Sequence, residues 1–446
     1  MRRAAILSIA AWLSAPALAD PWRLDDIDKP NWLTLSGEAR IRYESLGEQF
    51  RAGGSGGDQL LAMRTLLLAE AEAGTWTLGI EMQDSRTYLD DNGTPLSSSF
   101  VNTLEPLQLY AKRDAFGGTL KLGRQTLDIA SRRFVERNDF RNTINGYSGG
   151  YWRGPAMDGT LHVFAVAPVG KEPASRSGRD ANAVELDETE WGRVFWGLHY
   201  VRPKALGSLQ TEVFAYGLNE DDRESVATAD RSYVELGGRL LQAPQASRWD
   251  FEIEGAYRFG ERSTSSGQGA DRALDVSAET LHAALGYSWA GPWQLRLALE
   301  YDYASGDDTP SDSDFGTYER LFGTRRGDLG NTSIHGPLTR QNINAPGARA
   351  SFKRGRYDGR LHWRAAYLAS DTDSFRQAGL RDPSGQSGDF AGHSIDGRVR
   401  YWIAEQSLRL ELGGSIFLKG RFAREAPGAP NEGDTLYGYA QLTATF

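Results

Sequence analysis

The sequence predicts an all-β chain folded as an 18-stranded antiparallel transmembrane β-barrel, with short periplasmic turns and long extracellular loops. Three observations lead there. Apolar and polar residues alternate with period two through nearly the whole chain. The links between these segments are by turns very short and long, as in outer-membrane barrels. Beyond the N-terminus no apolar run approaches the length of a membrane helix, although the N-terminus itself has the form of an export signal.

At the start, Arg2 and Arg3 precede an apolar run from Ala4 to Leu13, and Ala17-Leu18-Ala19 offers a small-residue cleavage site before Asp20. Residues 1–19 are therefore expected to be a signal peptide and residues 20–446 the barrel. In the first strand, 33–46, Leu33, Leu35, Gly37, Ala39, Ile41 and Tyr43 alternate with Thr34, Ser36, Glu38, Arg40, Arg42 and Glu44. The segment 60–72 is apolar on both faces, with Leu66 and Leu68 on the side of Arg64. Strands follow at 75–88, 104–113, 118–126, 143–153, 158–167, 190–202 and 207–219, of which 190–202 is again mixed. The second half gives 231–242, 248–260, 276–289, 292–305, 343–354, 357–369, 392–404, 407–421 and 435–446. In 248–260, Trp249, Phe251, Ile253, Tyr257 and Phe259 alternate with Asp250, Glu252, Glu254 and Arg258. Segments of this length exceed the usual globular strand and suit tilted membrane-spanning ones.

Ala73-Gly74, Ala290-Gly291, Gly355-Arg356 and Glu405-Gln406 mark the even-to-odd links as tight turns. The odd-to-even links at 47–59, 89–103, 127–142, 168–189, 220–230, 261–275, 306–342, 370–391 and 422–434 are long and polar. A soluble sandwich has no reason to keep every long loop at one end. An even strand number lets the last strand pair with the first and abolishes exposed sheet edges. The final strand ends at Phe446, on the face of Leu436, Ala440 and Leu442, a feature expected to be read by the barrel-assembly machinery. Trp76, Trp249, Trp289, Trp293, Tyr301 and Tyr303 fit interfacial girdles.

Composition removes other classes. With 50 Lys+Arg against 59 Asp+Glu the net charge is -9, which excludes a basic nucleic-acid binder. Cysteine is absent, so disulfide scaffolds, thiolate metal sites and thiol nucleophiles are excluded. The 12 Trp and 18 Tyr are foreign to a disordered chain. Gly53-Gly54-Ser55-Gly56-Gly57 matches G-x-S-x-G only in form, lacking a strand-to-helix elbow. The histidines are dispersed without ligand spacing, and neither a metal nor a cofactor is expected. Asp307, Asp308, Asp312 and Asp314 miss the EF-hand pattern and read as a solvated loop, and the paired Glu252 and Glu254 follow from alternation rather than glycosidase chemistry.

Leu122-Gly123-Arg124-Gln125, then Arg132-Arg133-Phe134-Val135 and Asn138-Asp139-Phe140-Arg141-Asn142-Thr143, resemble the strand-and-loop signature of the alginate export family of outer-membrane porins. Tyr303-Ala304-Ser305-Gly306-Asp307-Asp308, with Phe315 and Leu321-Phe322-Gly323, resembles that family's long acidic loop, while Tyr147-Ser148-Gly149 stands where its Phe-Asp-Gly would be expected. The resemblance implies a monomeric 18-stranded pore passing an anionic polysaccharide through an arginine-lined constriction, without catalysis.

The residues themselves support a basic lumen wall. Strands fourteen to seventeen turn Arg349, Lys353, Arg360, Arg364, Arg398, Arg400, Arg409 and Lys419 inward, against Asp396 and Glu411. Arg40 and Arg42, offset by Glu38 and Glu44, continue this wall across the closure, and Arg64 extends it. Arg124 and Arg133 complete the expected path. Opposite, strands eleven and thirteen place Asp250, Glu252, Glu254, Glu300 and Asp302 inward against Arg258 and Arg296, so a transverse field is expected. The alternative is a set of inter-strand ion pairs. The candidate constriction is the loop 127–142, with Arg132, Arg137, Asp139 and Arg141. The function expected is an outer-membrane channel for an anionic saccharide or polyuronate. A general or uptake porin for other small anionic or polar solutes, a barrel enzyme or adhesin, and a secreted soluble β-protein are the alternatives.

Overall fold

In this computed structural model, which describes residues 23–222, 227–264 and 273–446, side chains sort along each strand by the predicted alternation, inside out relative to a water-soluble protein. On the strand Arg248–Ser263, Asp250, Glu254 and Arg258 are buried while Trp249, Ile253, Tyr257 and Phe259 are exposed. Leu78, Ile80, Leu285, Leu299, Leu361 and Leu412 lie on the same apolar exterior. An outer face of this kind suits hydrocarbon, and the backbone polar groups must then be satisfied within a closed sheet.

Closure is what the pairing shows. The strands are β1 (Leu33–Gly47), β2 (Asp58–Ala73), β3 (Trp76–Tyr88), β4 (Asn102–Ala115), β5 (Gly118–Gln125), β6 (Tyr147–Ala156), β7 (Gly159–Gly170), β8 (Arg193–Leu206) and β9 (Leu209–Glu220). They continue as β10 (Ser232–Gln242), β11 (Arg248–Ser263), β12 (Ala273–Ser288), β13 (Arg296–Ala304), β14 (Ile343–Arg354), β15 (Tyr357–Tyr367), β16 (Phe390–Ala404), β17 (Leu408–Lys419) and β18 (Thr435–Thr445). Each pairs antiparallel with the next, and β18 returns to β1 with Glu38 opposite Thr445 and Gly47 opposite Leu436, giving a closed 18-strand barrel. At the seam the Phe446 N–H donates to Gly37 O at 3.0 Å and the Gly37 N–H to Phe446 O at 2.7 Å. A Cβ at Gly37 would meet the Phe446 ring, which would have to shift. Two-residue strands at Glu188–Thr189 and Asp314–Phe315 extend β7 and β12 at the loop end.

Turns and loops fall at opposite ends as expected. Phe116 at φ 55° and Gly117 at φ 74° form the two-residue turn between β4 and β5, the left-handed pair that hairpin twist favours. One link differs from expectation: β13 begins at Arg296 rather than residue 292, because Pro292 has no N–H for the ladder. The Trp289 N–H instead donates to Leu295 O at 2.8 Å, closing a longer loop. β6 starts at Tyr147 rather than 143, since Thr143 and Ile144 belong to the inward loop before it. The mixed segment before β3 also resolves: Leu66 faces inward to meet Leu107 and Ile144. The predicted export segment, residues 1–19, lies outside the described residues.

The lumen is not empty. The third long loop, 126–146 (L3), and the seventh, 305–342 (L7), run inside the barrel and meet at a parallel bridge between Val135 and Phe322. Under β6 to β9 these loops bury an aromatic core: Phe134 packs on Phe214 at 4.7 Å, and Phe322 on Phe195 at 4.7 Å. A cavity lies instead beside the opposite wall, built by β16 to β18 and β1 to β2.

Candidate functional site

Arginines on that wall hold the inward loops by their backbone. Arg40 and Arg64 stand directly opposite each other on β1 and β2. Both donate to Asp139 O and Arg141 O of L3, at 2.7 and 2.7 Å from Arg40 and 2.8 and 3.0 Å from Arg64. Arg42 donates to Phe140 O at 2.7 Å and pairs with Glu44 at 2.6 Å. The other side repeats the device on L7. Arg349 donates to Gly327 O at 2.8 Å, Arg360 to Arg326 O at 3.0 Å, and Arg364 to Asp328 O at 2.8 Å. A carbonyl satisfies the guanidinium's hydrogen bonds without neutralising its charge. The wall therefore anchors the loops; Arg42, Arg64, Arg349 and Arg364 also pair with Glu44, Glu38 and Glu300, whereas Arg40 and Arg360 hold carbonyls without a carboxylate partner of their own.

The acidic wall is consumed by pairing. Arg133 of L3 bridges Glu252, Glu254 and Asp328, the last at 2.9 Å. Glu300 is bound by Arg349, His362 and Arg364 at 2.9, 2.9 and 2.7 Å, and Asp302 by Arg364 at 2.8 Å and His282 at 2.9 Å. Asp250 pairs with Arg296. Among the described residues, His282, Asp302 and Asp328 form the grouping whose ligand atoms come within 4.8 Å of one another. Arg133, Arg340 and Arg364 already occupy those carboxylates, so the triad is an ion-pair network.

Two cavities among the inward loops share Phe140 and Arg326. The loop-end cavity, of about 220 Å³, is lined by Arg51, Arg141, Arg320 and Arg325 with Glu136. The turn-end cavity, of about 130 Å³, is lined by Arg40, Arg64, Arg398, Arg400 and Arg409 with Glu38, Asp139 and Glu411. Between them the Phe140 ring lies 4.2 Å from the Arg42 guanidinium and 3.5 Å from that of Arg326. Arg326 is fixed by Glu411 at 2.7 Å and the Tyr439 hydroxyl at 2.6 Å. One residue from each inward loop thus stands between the two cavities.

The loop-end cavity is the less compensated. Arg320 donates to Gly323 O, Arg325 to Gly336 O and Leu338 O at 2.8 and 2.7 Å, and Arg51 to Ile334 O at 2.7 Å. None of these partners is an acid. Burial, reinforced by Arg141 nearby, pulls Arg320 and Arg325 below the usual arginine range. A guanidinium is not deprotonated in proteins, so both add positive charge to the cavity. Burial also pushes the Glu136 carboxyl up to about 7, with the Thr324 side chain and Arg132 opposing the rise and Asp128 and Asp139 adding to it.

The expected site residues thus separate into groups. Arg398, Arg400 and Arg409 line the turn-end cavity, with Arg400 on Asp358 at 2.7 Å. Arg360 lies beside them, and Lys353 is exposed near the turn end of β14. Arg364 is buried in the Glu300 network. Lys419 is tied to Gln49 O at 2.6 Å at the loop end. Arg124 holds Glu105 and Asp187 O, away from both cavities. In L3, Arg141 and Asp139 reach the cavities, Arg137 pairs with Asp139 at 3.1 Å, and Arg132 is exposed beside Asp128. Sequence reasoning missed Arg51, Arg320, Arg325 and Arg326. The signal was present in the basic second half of L7, overshadowed by its acidic first half.

Comparison with known proteins adds the following. The alginate export family model matches residues 31–434. No curated protein matches. Solved structures share the fold: Pseudomonas aeruginosa OccK9 (OpdG) at 13% identity and TM-score 0.60, covering 93% of this chain and 98% of that one; a BenF-like porin from Pseudomonas fluorescens Pf-5 at 14% and 0.59, covering 92% and 99%; and the outer membrane protein opdK from Pseudomonas aeruginosa at 12% and 0.56, covering 93% and 99%.

Proposed function

The chain belongs to the alginate export family, and from that premise we propose that this outer-membrane porin passes an anionic saccharide along its arginine-lined lumen. The observation that carries the reading is the imbalance of pairing. The acids of β11 and β13 are bound by arginines, whereas Arg141, Arg320, Arg325 and Arg360 meet only neutral partners or none among the described residues. A confined space with surplus fixed cations concentrates anions. Arginine's planar fork exchanges carboxylates without losing charge.

In this reading a carboxylate entering at the loop end meets Arg141, Arg320 and Arg325, passes to Arg326, and leaves past Arg398 and Arg409. The crossing requires Arg326 or Phe140 to swing aside, since their contact divides the two cavities. The pore is passive and works in either direction. Residues 1–19 would direct export, Phe446 would engage the assembly machinery, and one chain would suffice because a single barrel holds the whole path.

The test is solute flux through proteoliposomes containing the purified barrel. Uronates should enter faster than neutral hexoses of equal size, and uronate should reduce single-channel chloride current. Equal entry of uncharged and charged sugars would favour a general porin instead.

A further inference from the structure

We propose that the fourth long loop, 171–192 (L4), is a latch on the constriction: it clips across a break in the barrel wall and, through Lys171, positions the arm of L3 that follows Phe140 and Arg141. Such a latch acts on any solute and stands apart from the anion reading above.

The wall is incomplete where L4 lies. The β4–β5 ladder ends at Leu109 opposite Arg124, which leaves Asn102 to Gln108 of β4 without a strand on that side. The β3–β4 ladder ends at Ser85 opposite Asn102, short of Thr87. Edges of this kind invite partners, and L4 meets them through side chains. The Asn182 amide stands in for a peptide group: its Oδ1 accepts from the Thr87 N–H and its Nδ2 donates to Thr87 O, both at 2.9 Å. Asp187 accepts from Asn102 Nδ2 at 2.8 Å, its N–H donates to Glu105 at 3.0 Å, and its carbonyl accepts from Arg124 at 2.8 Å. Arg124, remote from both cavities, is thereby a clasp for L4.

This attachment is polar. L3 puts Leu127, Ile129, Phe134 and Val135 into the apolar core and L7 puts in Tyr318, Leu329, Ile334 and Leu338, whereas no residue of L4 enters it. Val184, Leu186 and Trp191 are instead exposed. Beneath L4, Thr87 Oγ1 and Asn102 Oδ1 are buried without partners among the described residues. A segment held by a few hydrogen bonds and little apolar burial belongs to the low end of local stability.

At its first residue L4 grips L3. Lys171 Nζ donates to Thr143 Oγ1 and Asn145 Oδ1, both at 3.0 Å. Thr143 in turn donates to Ser98 O at 2.7 Å, between Ser97 and Ser99 of the loop-end cavity. Residues 139 and 141 are held by Arg40 and Arg64, and residues 143 and 145 by Lys171.

Docking buries two opposite charges that release would hydrate again. Burial, with Arg141 adding to it and Asp187 opposing it, pulls the Lys171 amine down to about 7. Burial pushes the Asp187 carboxyl up to about 6; Glu105 adds to the rise, while the Glu172 N–H, Asn102 and Lys171 oppose it. A free lysine titrates near ~10.4 and a free aspartate near ~3.9. Docking therefore weakens as pH falls from ~10 toward 7, where the released loop binds the proton on Lys171 first. It strengthens as pH falls from 6 toward ~4, where the docked loop binds the proton on Asp187 first. L4 is loosest between pH 6 and 7.

The experiment is hydrogen exchange of the full barrel in detergent from pH 5 to 9, with protection of each segment taken relative to its intrinsic exchange rate. Protection of 171–187 should be about tenfold or more below that of 318–338, and lowest between pH 6 and 7. Asn182→Ala should lower protection of L4 and of 143–146 together, about tenfold for the two hydrogen bonds lost, and leave 318–338 unchanged. Lys171→Met should remove the rise toward pH 9, and Asp187→Asn the rise toward pH 5. The heat-modifiable gel shift shows which variants fold, and the native profile alone decides where one does not. L4 protected as strongly as 318–338, L4 released by Asn182→Ala with 143–146 unmoved, or a native profile retained in Lys171→Met would overturn the latch. The preference for chloride over potassium tests the channel reading separately, since none of these outcomes depends on it.

Discussion

Glu136 is the residue from which the proposed anion path should take a pH dependence. Its carboxyl titrates near 7, raised chiefly by burial, where an ordinary glutamate titrates near ~4.3. A raised carboxylic pKa means that the folded loop favours the neutral form, and that ionisation above pH 7 works against it. Below pH 7 the loop-end cavity loses its only lining acid. Anion preference in bilayers should therefore rise between pH 8 and pH 6, and Glu136→Gln should abolish the difference. Arg133 is the structural counterpart, touching Glu252, Glu254 and Asp328 while itself 8% exposed. Arg133→Met would strand buried carboxylates, and breaking such pairs costs about 3–5 kcal/mol. The expected outcome is a barrel that still assembles but melts earlier in detergent and carries a noisier current, because L3 and L7 lose their shared anchor.

At the level of elements, L3 and L7 make the pore narrow, and the barrel wall fixes them by carbonyls. Removing the grip on L3 with Arg40→Gln and Arg64→Gln together should raise single-channel conductance, since residues 139–141 would no longer be held in the lumen. Phe140→Ala should raise it with the loop left in place. A double variant no more conductive than Phe140→Ala alone would show that the ring, rather than the loop, is the restriction. The strands were legible in the sequence because period two and alternating link lengths are local patterns. The inward course of L7 was not, because it depends on Arg349, Arg360 and Arg364 reaching carbonyls remote in sequence. Arg40 and Arg42 fall on the inward side of the alternation, yet no spacing rule tells a lining arginine from one that ties a loop. Arg326 was hidden for the same reason: its role arises only where L7 meets Phe140 of L3.

The whole molecule is a closed sheet whose interior is divided lengthwise, an aromatic half under β6 to β9 and an arginine-bearing half along β14 to β2. Closure depends on the seam between β1 and β18, where Gly37 admits the Phe446 ring. Gly37→Val should reduce the yield of heat-modifiable barrel, because a branched Cβ would displace that ring and weaken the last hydrogen bonds of the ladder. The proposed anion path does not conflict with a net charge of -9, because what a solute meets is the charge beside its path, not the total.

That claim is tested most directly by reversal potentials across planar bilayers under a low-salt KCl gradient, where screening is weak. The native pore should prefer chloride, and Arg398→Glu with Arg409→Glu should move the reversal potential toward that of potassium. These side chains line the turn-end cavity and hold no loop in place. A native pore that prefers potassium, or a charge-reversed pore with unaltered preference, would contradict the account.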